Sequence, residues 1–143
     1  MAMTFRYARL QRGEGRIVKA PCITVFEQDA NGRVLEIPAL IDSGADSAVV
    51  PKDLAEVLGL CLSEEQETRG IGGITKAKRT RLSFRISNGR ESYALSMPAL
   101  VLLDETINIP LLLGRTGFFD EFEIIFRQPE EKIVLKKVAA QAY

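Results

Sequence analysis

Leu40-Ile41-Asp42-Ser43-Gly44-Ala45-Asp46 is the stretch on which the reading of this chain turns. An apolar run ends in a carboxylate, followed by a hydroxyl, a glycine and a small residue. The pattern delivers Asp42 from the end of a buried strand into a tight turn. A carboxylate there is costly to desolvate unless hydrogen bonds hold it. Ser43 offers a hydroxyl, and Gly44 offers a backbone N–H with no Cβ in the way. Asp-Ser-Gly is also common turn chemistry, and taken alone it describes an ordinary strand exit. The rest of the chain decides between the two.

The 143 residues suffice for one domain with a real core. A two-lobed enzyme with a duplicated site needs roughly twice that length, and here Asp-Ser-Gly occurs once, with no visible internal repeat. The 19 Lys and Arg balance the 19 Asp and Glu, so nothing in the net charge drives the chain toward nucleic acid or a membrane surface. Histidine is absent, which removes Ser-His-Asp triads, Cys-His dyads and nearly all catalytic zinc sites. Any general acid or base is then a carboxylate, Lys, Tyr or Cys. Cys22 and Cys61 are far apart and read as buried thiols of a reducing, cytoplasmic compartment. No apolar run approaches the roughly 20 residues of a membrane span. Residues 1–16 carry Arg6, Arg9, Arg12 and Arg16 without a following apolar segment, which is not the pattern of a secretory signal. They read as a basic arm, either disordered or extended against a partner chain.

In order, Ile17 to Phe26 reads as a strand and Asp29-Ala30-Asn31-Gly32 as a hairpin turn. Arg33 to Ile41 is the strand leading to Asp42, weakened in its middle by Pro38. Pro51 suits a first helical turn, Leu54, Val57 and Leu58 form an apolar stripe, and Gly59 is the stop. Arg69-Gly70-Ile71-Gly72-Gly73-Ile74-Thr75 lacks the spacing of a phosphate-binding loop. It is either a flexible hairpin tip or a flap, a mobile hairpin whose backbone N–H groups reach a substrate, with Ile71 at its apolar tip. Lys76 to Ile86 is a strand with a basic outer face, read as solvated or edge-protecting. Asn88-Gly89 turns the chain into Glu91 to Met97, Pro98 interrupts, and Ala99 to Leu103 forms a short buried strand. A fully apolar strand, Ile109 to Leu113, runs into Gly114-Arg115. Glu121 to Phe126 and Lys132 to Leu135 close the chain as a hairpin, leaving a weakly patterned tail. About eight short strands with one or two short helices predict an all-β domain, closed or sandwiched.

Asp42-Ser43-Gly44-Ala45-Asp46, Gly70-Ile71-Gly72-Gly73 and Leu112-Leu113-Gly114-Arg115 now stand in order. The ordered triple, in a histidine-free and β-rich chain, resembles the retropepsin family, the single-domain aspartic proteases of retroviruses and their cellular relatives. The resemblance spans roughly residues 34 to 126. It implies a closed, barrel-like acid-protease fold over residues 17–136, between a basic arm (1–16) and a tail (137–143). By resemblance, Asp42 matches the catalytic aspartate and Ser43 the hydroxyl residue that braces two active-site loops. Gly44 presents its carbonyl to the substrate backbone, and Asp46 pairs with Arg115 after Gly114 in a partly buried structural contact. Gly70 to Gly73 match the flap, with Ile71 at its tip. Leu112, with Ala45, Val49 and Ile71, makes apolar subsites. The helix after the catalytic turn and the longer spacing to the flap are closer to cellular and bacterial members than to viral ones. The tail has no clear match to the terminal strands that join viral dimers.

Aspartic proteolysis needs two carboxylates sharing a proton, and one chain supplies one. The resemblance therefore implies a two-fold homodimer with Asp42 from each copy across the axis, acting on a peptide or protein substrate without metal or cofactor. The competing expectations are a catalytically inactive dimeric peptide-binding or assembly module on the same fold, and an unrelated small β-barrel in which Asp42 is only a turn residue.

Overall fold

Period-two burial governs most of the strands. The computed structural model describes residues 2–11, 13–70 and 73–139. Its strands are β1 (Ala2–Arg6), β2 (Ala8–Gln11), β3 (Ile17–Ala20), β4 (Cys22–Gln28), β5 (Val34–Ile41), β6 (Ala48–Val50), β7 (Glu65–Gly70), β8 (Gly73–Ser87), β9 (Ser92–Leu102), β10 (Leu111–Leu113), β11 (Phe122–Arg127) and β12 (Lys132–Lys137). One helix, α1 (Lys52–Leu58), follows β6. Along β8, Leu82, Phe84 and Ile86 are buried while Arg81, Ser83 and Arg85 are exposed, as expected of a strand with one face on a core.

Six strands close into a ring in the order β4-β5-β10-β6-β9-β8, with the Phe26–Arg85 pairing of β4 and β8 completing it and β7 added outside β8. The all-β, closed-barrel expectation is met. Two parallel contacts lie inside this mostly antiparallel ring, β5 with β10 from Ala39 and β6 with β9 from Ala99. Pro38 and Pro98 each stand one residue before a parallel contact begins, where the second edge of their strand is unpaired among the described residues. A residue without an N–H is tolerated there, so Pro98 does not interrupt β9 as the sequence suggests.

The turn after β4 is as read: Asp29 Oδ1 accepts from the N–H groups of Asn31 and Arg33 at 2.9 and 2.8 Å. Helix α1 ends at Gly59, whose left-handed backbone (φ 66°) lets its N–H reach the Ala55 and Glu56 carbonyls. Its apolar stripe differs from the expected one. Ala55 and Leu58 are buried and Val57 is exposed, because so short a helix meets the barrel along a narrow line.

Part of the N-terminal segment is an ordered strand of the domain, at the edge of a sheet. β1 pairs antiparallel with β12 of its own chain, from Ala2–Lys136 to Arg6–Lys132. With β11 these strands make a second, three-stranded sheet. Met3 is fully buried and Phe5 packs on the core, while β2 and β3 form a small separate ribbon. The arginines conceal this alternation in the sequence: they take the outward positions. Arg12 and residues 140–143 lie outside the described residues. Of the two cysteines, Cys22 is buried, but Cys61 is exposed, contrary to expectation. Among the described residues no helix is long and apolar enough to cross a membrane.

One carboxylate enters the interior. Glu27, near the end of β4, is 3% exposed, and among the described residues neither of its carboxyl oxygens has a hydrogen-bond partner. Burial pushes its pKa up from 4.5 to about 7. It pairs with Leu35, at the far end of β5 from Asp42.

Candidate active site

Asp42 is the first residue past β5, and it is half-buried. Its N–H donates to the Leu113 carbonyl at 3.0 Å, which ties it to the end of β10. Its Oδ1 accepts from the Gly44 N–H at 2.9 Å, and its carbonyl accepts from the Ala45 N–H at 3.2 Å. The turn is therefore held by its own backbone. Of the two donors anticipated for the carboxylate, only Gly44 is used; the Ser43 hydroxyl is exposed and has no partner among the described residues. A Cβ on Gly44 would sit 3.2 Å from Asp42 Oδ1, so glycine keeps this donor close without crowding.

Two loops meet behind the carboxylate. The Arg115 N–H donates to Ala45 O at 2.9 Å and the Thr116 N–H to Asp46 O at 2.8 Å. Gly114 is the point of closest approach: a Cβ there would lie 2.5 Å from Ser47 O and 2.6 Å from Ala45 O. Only glycine lets the two backbones meet. Arg115 Nη1 donates to Ser43 O at 3.1 Å, and its Nη2 pairs with Asp46 Oδ1. The structure thus brings Asp46 and Arg115 together, but the pair is not partly buried. The side chains are 90% and 55% exposed, which makes it a surface contact of small energetic weight.

Register assembles an apolar shelf beside the carboxylate. Leu112 pairs with Leu40 on one side and Val49 on the other, and Val49 pairs with Leu100. Cross-strand partners share a face, and all four are half-buried, whereas Ile41, Leu113, Val50 and Val101 on the opposite face are in the core. Leu40 is two residues before Asp42, so alternation puts both on the same side. Leu112 and Val49 were expected here. Leu40 and Leu100 were missed, since their place depends on pairings between strands far apart in sequence. Ala45 lies in the turn, half-buried.

β7 and β8 form the expected hairpin, paired out to Gly70–Gly73. Ile71 and Gly72 lie outside the described residues. Ile74, 56% exposed and across from Arg69, is an apolar candidate on this hairpin that the sequence reading passed over. A groove of about 710 Å³ lined by Arg9, Pro51, Asp104 and Ile109, among others, has no contribution from Asp42.

A closed six-stranded barrel with an Asp-Ser-Gly turn clasped by a Gly-Arg turn defines a retropepsin-like protein. The family model described as aspartyl protease matches residues 27–116, which include the Asp42 turn, the β7–β8 hairpin and Gly114-Arg115. The chain belongs to the aspartyl protease family, and so to the peptidases. Among solved structures, it resembles a retropepsin-like aspartic protease from Rickettsia conorii at 20% identity, with a TM-score of 0.53, over 98% of this chain and 95% of that one. A second similar structure, the EIAV protease complexed with the inhibitor HBY-793, is 18% identical with a TM-score of 0.47, over 74% of this chain and 88% of that one. No curated protein matches the chain.

Proposed function

We propose that the protein is an aspartic endopeptidase whose working unit is a homodimer, with Asp42 of each copy forming the catalytic dyad. The observation that carries this reading is the placement of Asp42. It is half-buried, fixed by the Gly44 N–H, without an ion-pair partner among the described residues, and on the same side as the Leu40–Leu112–Val49–Leu100 shelf. A turn residue with no further role needs no such shelf. The unpartnered Ser43 hydroxyl fits a brace to the second copy's loop.

In the dyad, two like charges a few ångströms apart resist double ionisation, so the pair holds one proton and titrates as a unit. The ionised carboxylate takes a proton from a bound water as its oxygen attacks the scissile carbonyl carbon. The protonated partner gives its proton to the carbonyl oxygen, forming a neutral tetrahedral diol. Return of a proton to the amide nitrogen and breakage of the C–N bond yield a carboxylic acid and an amine. Substrate lies extended, with its backbone bonded as an added strand. In this arrangement the Gly44 carbonyl and the turn at Ala45 and Asp46 meet the substrate main chain. Val49 and Leu112, joined by Leu40 and Leu100, receive apolar side chains, and the β7–β8 hairpin, paired out to Gly70–Gly73, lies over it. Gly114 and Arg115 hold the catalytic turn.

The test is cleavage of a mixed peptide library at mildly acidic pH by the wild type and by Asp42→Asn, with sedimentation across a concentration series. Cleavage is expected to vanish in the variant while folding and self-association persist. Specific activity is expected to fall on dilution as dimer dissociates. Equal cleavage by both proteins, or an active strict monomer, refutes the assignment.

A further inference from the structure

Residues 69–90 carry seven lysines and arginines and no Asp or Glu, in a chain whose charges cancel overall. An edge-protecting role does not fit, because β8 is an interior strand. It has β9 along one side from Ala77 to Ser87, and β7, residues 61–64 and β4 along the other. Arg79, Arg81 and Arg85 share its outer face. Each is held in place by neutral acceptors. Arg79 Nε donates to Gln66 Oε1 at 2.5 Å, Arg81 Nε to Ser96 Oγ at 2.8 Å, and Arg85 Nη1 to Ser92 Oγ at 2.9 Å. Ser83 Oγ, between them, bonds Ser96 Oγ at 3.1 Å. Among the described residues no carboxylate forms an ion pair with any of the three arginines. The result is a row of oriented, uncompensated guanidinium groups about 20 Å long, each with N–H groups to spare.

This row is continuous with the shelf beside Asp42. Leu100, the last of the four shelf residues, pairs directly with Arg79. A chain lying across the shelf and leaving it at Leu100 meets Arg79 first and then Arg81 and Arg85. We propose that these three arginines form an exosite for an extended, Asp- and Glu-rich polypeptide segment flanking the cleaved bond, so that the preferred substrates are proteins with an acidic stretch beside an apolar one. The link to cleavage rests on the endopeptidase reading; the capture of an acidic segment does not. A polypeptide fits better than a nucleic acid. Between the arginines lie only serines, Ala94 and Pro98, and the single ring at the rim, Phe26 opposite Arg85, is half-buried. Single-stranded nucleic acid binds on a series of exposed rings.

Binding is measured on the Asp42→Asn protein by fluorescence anisotropy of a labelled hexaglutamate peptide at low salt. The expected result is binding that weakens as salt screens it, and at least about tenfold weaker in the Arg79→Gln/Arg81→Gln/Arg85→Gln variant, from three exposed contacts together. If the triple variant does not fold, Arg81→Gln and Arg85→Gln singly are expected to lose about twofold each. Lys132→Gln/Lys136→Gln, which removes two cations elsewhere, is expected to leave binding unchanged. The cleavage arm compares kcat/KM for one apolar peptide with and without a hexaglutamate extension. Wild type is expected to prefer the extended peptide by about tenfold, and the triple variant to reduce that ratio to near one. Equal hexaglutamate binding by wild type and arginine variants overturns the proposal. So does an oligothymidylate of equal charge that binds more tightly and displaces the peptide, which would mark a nucleic-acid surface. If wild type cleaves neither peptide while hexaglutamate binding still depends on the arginines, the endopeptidase reading fails and the acidic-segment site stands.

Discussion

Glu27→Gln isolates the one carboxylate that the fold takes out of water. The side chain is 3% exposed with no hydrogen-bond partner for either oxygen among the described residues, and its pKa rises from 4.5 to about 7. Between those values the folded chain holds a proton that the unfolded chain has released. Stability from this group is therefore complete below about pH 4.5 and is lost as pH rises through about 7. At about 1.4 kcal/mol per pH unit, the whole interval corresponds to about 3 kcal/mol. Glutamine has nearly the same shape and does not titrate. Its own desolvation cost is the same at every pH and cancels when the stability difference between variant and wild type is compared at about pH 4 and about pH 8. That difference is expected to move by about 3 kcal/mol in favour of the variant at the higher pH. In urea, with a slope of about 2 kcal/mol per molar for a chain of this size, this is a relative midpoint shift of about 1.5 M. Asp42 and every other titrating group are common to both proteins and also cancel. A stability difference that stays flat across this range refutes the reasoning, because it would mean that Glu27 is solvated or charge-paired in solution.

Three further outcomes follow from the site and its frame. Gly114→Ala puts a Cβ within 2.5–2.6 Å of two carbonyl oxygens, so the clasped loops must part. A loss of about 1–3 kcal/mol in chemical unfolding is expected, with cleavage reduced far more than stability alone explains, and a fully active variant of wild-type stability contradicts the clasp. Asp46→Ala removes an ion pair that is mostly in water, so its cost in a dilute, monomeric sample should stay within about 1 kcal/mol; a loss above about 3 kcal/mol would indicate a buried pair instead. Met3→Ala empties a fully buried site on β1 and is expected to cost about 2–5 kcal/mol. Unfolding indistinguishable from wild type would mean that the N-terminal strand does not dock on its own chain.

The sequence by itself determined what short-range chemistry controls. The β4–β5 turn is legible because Asp29, Asn31 and Gly32 supply its bonds and its backbone freedom locally. The Asp42 turn is legible because a carboxylate, a hydroxyl and a glycine stand together at the end of an apolar run. The pairing of Asp46 with Arg115 came through the ordered motifs, but its exposure did not, since solvent access at one loop depends on what the other loops leave uncovered. Tertiary structure alone decided the barrel's closure at Phe26–Arg85, the capture of β1 by β12, and the burial of Glu27. It also decided the shelf of Leu40, Leu112, Val49 and Leu100 and its continuation onto Arg79. Each of these depends on pairing between strands far apart in sequence, Ala2 with Lys136 at the extreme. Alternation along one strand says which residues share a face. Which strand lies alongside, and in what register, is set by how all the apolar faces pack together.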